Sequence, residues 1–137
     1  MTRMQPTASA GLILVLLTLA GAALAGCGTT VADAQAAKGS GTWRVYERPY
    51  DTVWVAVLDA VRSSDLSLVS ADKETGRILA RRDVTVFSWG ENVAIFVEDA
   101  GGKTKTRVEV VSKAALVGNV SAANWDRRLF ESLDKRL

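Results

Sequence analysis

Two adjoining segments leave this chain the fewest folding choices. Asn92–Glu98 (Asn-Val-Ala-Ile-Phe-Val-Glu) is a run of β-branched and aromatic residues. Thr104–Val111 alternates Thr106, Val108 and Val110 against Lys105, Arg107 and Glu109. Asp99-Ala-Gly-Gly-Lys103 lies between them and supplies the glycines that a tight reversal needs. A period of two sends successive side chains to opposite faces, so the pair predicts an antiparallel hairpin with one apolar and one polar face. The polar set is expected to face water.

The flanking segments extend this hairpin into a sheet with helices. Trp43-Arg-Val-Tyr46 reads as a short strand, stopped by Arg48-Pro49, because proline cannot donate to a central ladder. Asp51 is a candidate N-cap for a helix whose apolar positions are Val53, Trp54, Val57, Leu58 and Val61, with Tyr50 and Val55 as a hydrophobic staple. Leu66–Ser70 and Arg77–Asp83 read as strands joined by Asp72-Lys-Glu-Thr-Gly76, where Gly76 is available for positive φ. The stretch Val84–Gly90 reads equally as strand or apolar loop. Ser121 is a candidate cap for a last helix that spaces Trp125, Leu129, Leu133 and Leu137 four apart. The expectation is an α+β domain: an antiparallel sheet of four to five strands on two helices, in the order β-α-β-β-β-β-α.

Composition narrows the chemistry. With no His and one Cys, Cys27, the 137-residue chain cannot use Ser-His or Cys-His catalysis, an internal disulfide or a Cys-rich metal site. Seventeen basic against fifteen acidic residues is too balanced for a nucleic-acid binder. No Walker, GxGxxG, GxSxG or HExxH motif is present. The reading is non-enzymatic, without cofactor or metal.

The amino-terminal segment is an address. Arg3 is followed by an apolar run from Gly11 and then small residues up to Gly26, the layout of a secretory signal. Its 16 residues fall short of the roughly 20 that a spanning helix needs. Leu24-Ala25-Gly26-Cys27 resembles the bacterial lipobox. The resemblance implies cleavage before Cys27 and its modification by acyl chains, including palmitate. Two chains anchor stably where one is marginal. Gly28 resembles the outer-membrane pattern. This divides the chain into a signal peptide (1–26), a lipidated Cys with a flexible tether (27–41) and a periplasmic domain (42–137). The tether's flexible residues would reach about 20 Å.

A second resemblance rests on Tyr46–Val61, with its Pro-Tyr-Asp-Thr-Val-Trp run, and on Asp72-Lys-Glu-Thr-Gly-Arg-Ile78. These segments are similar to small bacterial lipoprotein domains, including the BamC-like helix-grip domains. The resemblance implies an envelope protein partner and an accessory role in outer-membrane assembly. The alternative is a carrier that holds an apolar or lipid ligand between sheet and helix, lined by Trp54 and Trp125.

Contact residues follow from these readings. Trp54 and Trp125 read first as core packing, and as ligand contacts only if such a gap exists. Phe87 and Trp89, beside Gly90, would either fold over the sheet edge as core or form a partner-binding or membrane-dipping tip. Lys103, Lys105 and Arg107 lie along one hairpin and would either form a solvated face balanced by acidic residues such as Glu109 or contact an anionic surface.

Overall fold

The computed structural model describes residues 30–85, 90–114 and 124–137. The hairpin becomes β4 (Glu91–Gly101) and β5 (Lys105–Ala114), paired from Glu91↔Ala114 to Gly101↔Lys105. β2 (Ser67–Asp72) and β3 (Arg77–Arg82) precede it in an antiparallel meander, and β1 (Thr42–Tyr46) pairs with the free side of β5. The sheet order is β1-β5-β4-β3-β2. The fold is α+β, with a five-stranded antiparallel sheet and the expected order β-α-β-β-β-β-α from β1 onward.

That order sets a task for the first connection, because β1 and β2 occupy opposite edges. Crossing four strand spacings covers about 19 Å. The helix α2 (Tyr50–Arg62) has 13 residues, and a helix of that length extends about 20 Å. It buries Val53, Trp54, Ala56, Val57, Ala60 and Val61. The last helix, α3 (Trp125–Asp134), lies on the same face and buries Trp125, Leu129, Phe130 and Leu133. Between helices and sheet they enclose Ile78, Ala80, Val93, Ile95, Val97, Val108 and Val110.

Gly76 closes the β2–β3 turn at φ +67°, and a Cβ there would stand 2.1 Å from the Val97 carbonyl oxygen. The Val97 amide donates to the Gly76 carbonyl at 2.7 Å, and the Tyr50 hydroxyl donates to the Lys73 carbonyl at 2.7 Å. The turn therefore needs glycine both for its φ and for its closeness to β4.

The helix ends differ from expectation. Pro49 is the N-cap of α2 and makes no side-chain cap bond. Asp51 sits inside the first turn, where it pairs with Lys73 at 2.8 Å. Proline's fixed φ starts the helix two residues early, so Asp51 serves the helix dipole instead of the cap. Val55 is 55 % exposed and staples nothing. Tyr50 instead stacks on Trp54, with ring centroids 6.1 Å apart. The N-cap of α3 is Asn124, and Ser121 lies outside the described residues.

The largest difference lies in the expected tether. Val31–Ala36 forms a helix, α1, on the sheet face opposite α2 and α3. Thr30 caps it reciprocally. The Thr30 hydroxyl accepts from the Asp33 amide at 3.3 Å, and the Asp33 carboxylate accepts from the Thr30 amide at 2.6 Å. Ala34 is fully buried against Leu79, Ala94, Phe96 and Val111. Those apolar side chains interrupt the polar face and give a short alanine-rich helix a surface on which to bury itself. The wet face is thus partly covered.

Candidate functional site

The outer face is organised by rows of paired residues. One row runs Asp72, Arg77, Phe96, Glu109, Trp43 across the five strands. Glu109 is completely buried. Its Oε1 accepts from the Gly39 amide at 2.6 Å and from the Gly41 amide at 3.0 Å, and its Oε2 lies 3.0 Å from the Arg107 guanidinium. Two donated N–H groups and a cation compensate the cost of burying a carboxylate. They also staple the segment after α1 to the sheet. Gly41 passes so close that a Cβ would meet the Val110 carbonyl oxygen at 2.3 Å.

A second charged group completes the staple. Glu98 accepts from Lys38 and, at 2.9 Å, from Arg107. The Lys38 hydrogen bond, with Arg107 as a second donor, holds the Glu98 carboxyl below its ordinary 4.5. The Lys38 ammonium also stands 5.4 Å from the Phe96 ring centroid.

The hairpin cations are therefore largely committed to partners within the chain. Lys105 pairs with Glu47 at 3.1 Å, and Arg107 serves Glu98 and Glu109. Lys103 occupies the turn at φ +62°. These three do not form one bare cationic strip.

The two tryptophans with helical spacing belong to the core. Trp54 is 5 % and Trp125 1 % exposed, and the space between sheet and helices is filled by the cluster that contains them. The Trp125 indole N–H donates to Glu91 Oε2 at 2.6 Å, with Glu91 itself 1 % exposed. The Arg128 and Arg82 guanidinium groups stand 5.2 and 6.0 Å from the Trp125 ring centroid. The indole is thus a hydrogen-bonded anchor for α3, not a wall of a ligand gap. Cys27, Leu24, Ala25, Gly26, Phe87 and Trp89 lie outside the described residues.

The sequence reading missed Trp43. It is 56 % exposed, on the edge strand, with its ring centroid 5.2 Å from the Arg107 guanidinium. The alternation of β1 was visible. Which of its faces would find a covering helix was not.

The opposite side of the domain carries a cleft of about 730 Å³ between α2 and the chain's end, lined by Thr52, Val55, Ala56, Asp59, Arg62, Ser63, Arg136 and Leu137. Arg136 donates to the Ser63 hydroxyl at 2.7 Å across it. Among the described residues no group of three or more Cys, Asp or Glu is placed to hold a metal ion, and no helix is long and apolar enough to cross a membrane. No protein-family profile and no curated protein matches the sequence.

Proposed function

We propose that this chain is a lipid-anchored lipoprotein of the bacterial envelope, probing the periplasm from the outer membrane and acting by protein contact. The observation that carries the reading is the junction between anchor and domain. Thr30 caps α1 only three positions after the lipobox Cys27, and α1 is itself docked on the sheet. A span of three residues extends at most about 11 Å. Such a linkage suits a protein that works at a set height above a membrane. A freely reaching tether would leave α1 undocked.

Contact in place of catalysis is supported by how the carboxylates are used. Glu109 is committed to Gly39, Gly41 and Arg107, Glu91 to Trp125, and Asp134 to Arg44 and Tyr46. The cleft beside Val55 lies on the helix side, away from α1, and is the surface we assign to a protein partner. The resemblance to BamC-like lipoproteins suggests an accessory role in outer-membrane assembly. The carrier alternative finds no support in the interlayer space, which Trp54, Trp125 and their neighbours fill.

Two measurements test the proposal. Cys27→Ser should abolish incorporation of labelled palmitate, and normal incorporation would sink the anchor. A photo-crosslinking residue at Val55, in intact cells, should capture an envelope protein, and one at the exposed Val84 should not. Capture from neither position, or equally from both, would sink the contact surface.

A further inference from the structure

Trp43 and Val45 are 56 % and 44 % exposed on an edge strand. Their orientation is not free. The intervening Arg44 donates to Asp134 of α3 at 2.5 Å, and Tyr46 donates to the same carboxylate at 3.0 Å. Arg44 and Tyr46 are thereby held toward the helix layer, and alternation puts Trp43 and Val45 on the opposite face, the one α1 covers.

We propose that this edge of the outer face docks on the lipid bilayer, with the Trp43 indole at headgroup depth. The proposal rests on lipidation of Cys27. The position of that residue in the chain supplies the occupant. From Cys27 to Thr30 is at most about 11 Å. The helix α1 has six residues, about 9 Å of axis. The chain is then stapled at Gly39 and Gly41 to Glu109, which pairs directly with Trp43 on the next strand. Thr30 at the head of α1 and the Trp43 indole therefore lie on one face of the domain, and a bilayer holding acyl chains at Cys27, at most about 11 Å of chain from Thr30, comes within reach of that face. Tethering makes the second contact intramolecular, at an effective concentration in the millimolar range, so a weak insertion suffices. Indole is suited to this layer because it combines an apolar body with one polar N–H. The neighbouring cations Lys38, Lys105 and Arg107 are paired with Glu98, Glu47 and Glu109. Docking thus runs through the apolar pair and not through attraction to anionic lipid.

The test uses the full lipidated chain in zwitterionic phosphatidylcholine vesicles with brominated acyl chains. Brominated lipid should quench part of the wild-type tryptophan emission, and Trp43→Phe should lose that part. Trp54 and Trp125 are in the core and Trp89 is common to both chains, so the difference reports Trp43. Val45→Ser should reduce the quenching in the same sense. Mass spectrometry of Cys27 and flotation with the vesicles test the anchor separately. If the chain is acylated and floats, but wild type and Trp43→Phe are quenched equally, docking is overturned and the anchor stands. If Cys27 carries no acyl group, the anchor falls and docking falls with it.

Discussion

Replacing Glu109 with Gln should release α1 from the sheet without unfolding the sheet. The carboxylate accepts two backbone N–H bonds, from Gly39 at 2.6 Å and Gly41 at 3.0 Å, and faces Arg107 at 3.0 Å. A hydrogen bond to a charged group contributes about 1.5–3 kcal/mol and a neutral one about 0.5–1.5. Neutralising the acceptor therefore costs roughly 1 kcal/mol per bond, about 2 kcal/mol for the pair. The lost Arg107 contact adds to this, and the smaller desolvation cost of an amide offsets part of it. Ala34 is the one fully buried residue of α1, so beyond the Lys38–Glu98 contact and the partly buried Val31 and Ala37 the helix has little else to hold it. A loss of about 2 kcal/mol makes opening about 30-fold more frequent. Native-state hydrogen exchange is the assay. The Ala34, Ala37, Gly39 and Gly41 amides should exchange about 30-fold faster, while those of β4 keep their protection. If the α1 amides exchange at the wild-type rate, Glu109 is not the staple. If β4 accelerates equally, α1 is part of the global unit and the reasoning fails.

Three further outcomes follow from the same geometry. Gly76→Ala should lower stability by at least about 2 kcal/mol in urea titration, since the residue must hold a left-handed φ and its Cβ meets the Val97 carbonyl oxygen at 2.1 Å; an unchanged midpoint would show that the turn relaxes freely. Trp125→Phe should cost about 1.5–3 kcal/mol by removing the donor to buried Glu91, and a loss under about 0.5 kcal/mol would mean the bond is not maintained. The pH dependence should be two-sided. Glu98 is held below its ordinary 4.5, chiefly by Lys38, so its contribution is present above that value and is lost as pH falls through the lower folded value. Tyr46 is pushed above its ordinary 10.0, first by burial and then by its bond to Asp134, so stability should be lost as pH rises past 10.0. Urea midpoints across the range check both limbs, and a flat profile on either side would remove that group from the account.

The local elements were legible because their signals are local. The alternation of Thr106–Val110 and the turn at Asp72–Gly76 are each written within a few residues, and the structure forms them at those positions. Trp125, Leu129 and Leu133 recur at helical spacing and are buried together in α3. The cap of α2 was misread for a local reason too: Pro49 and Asp51 compete for the same helix start, and proline's constrained φ prevails.

The outer face was not legible. Lys105, Arg107 and Glu109 alternate as a solvated strand face would, yet Glu109 ends fully buried. Its partners are amides some 70 positions away in sequence, in a segment with weak helical signals of its own. Val31–Ala36 is too short to be stable as an isolated helix in water. It forms here because Leu79, Ala94, Phe96 and Val111, drawn from three strands, make an apolar floor for Ala34.

By itself, then, the sequence determined the strands, the two long helices and the α+β order, because periodicity and turn chemistry act between near neighbours. It also carries Leu24-Ala25-Gly26-Cys27, whose resemblance to a lipobox needs no fold to be read. Tertiary structure decided which polar residues would be buried, whether residues 30–41 would be a tether or a docked helix, and which aromatic among the described residues would stay most exposed to solvent. Those outcomes depend on which strands become neighbours. Only strand pairing brings Glu109 under Gly39 and Gly41, and only the placement of α2, α3 and α1 covers Trp54 and Trp125 while leaving Trp43 exposed.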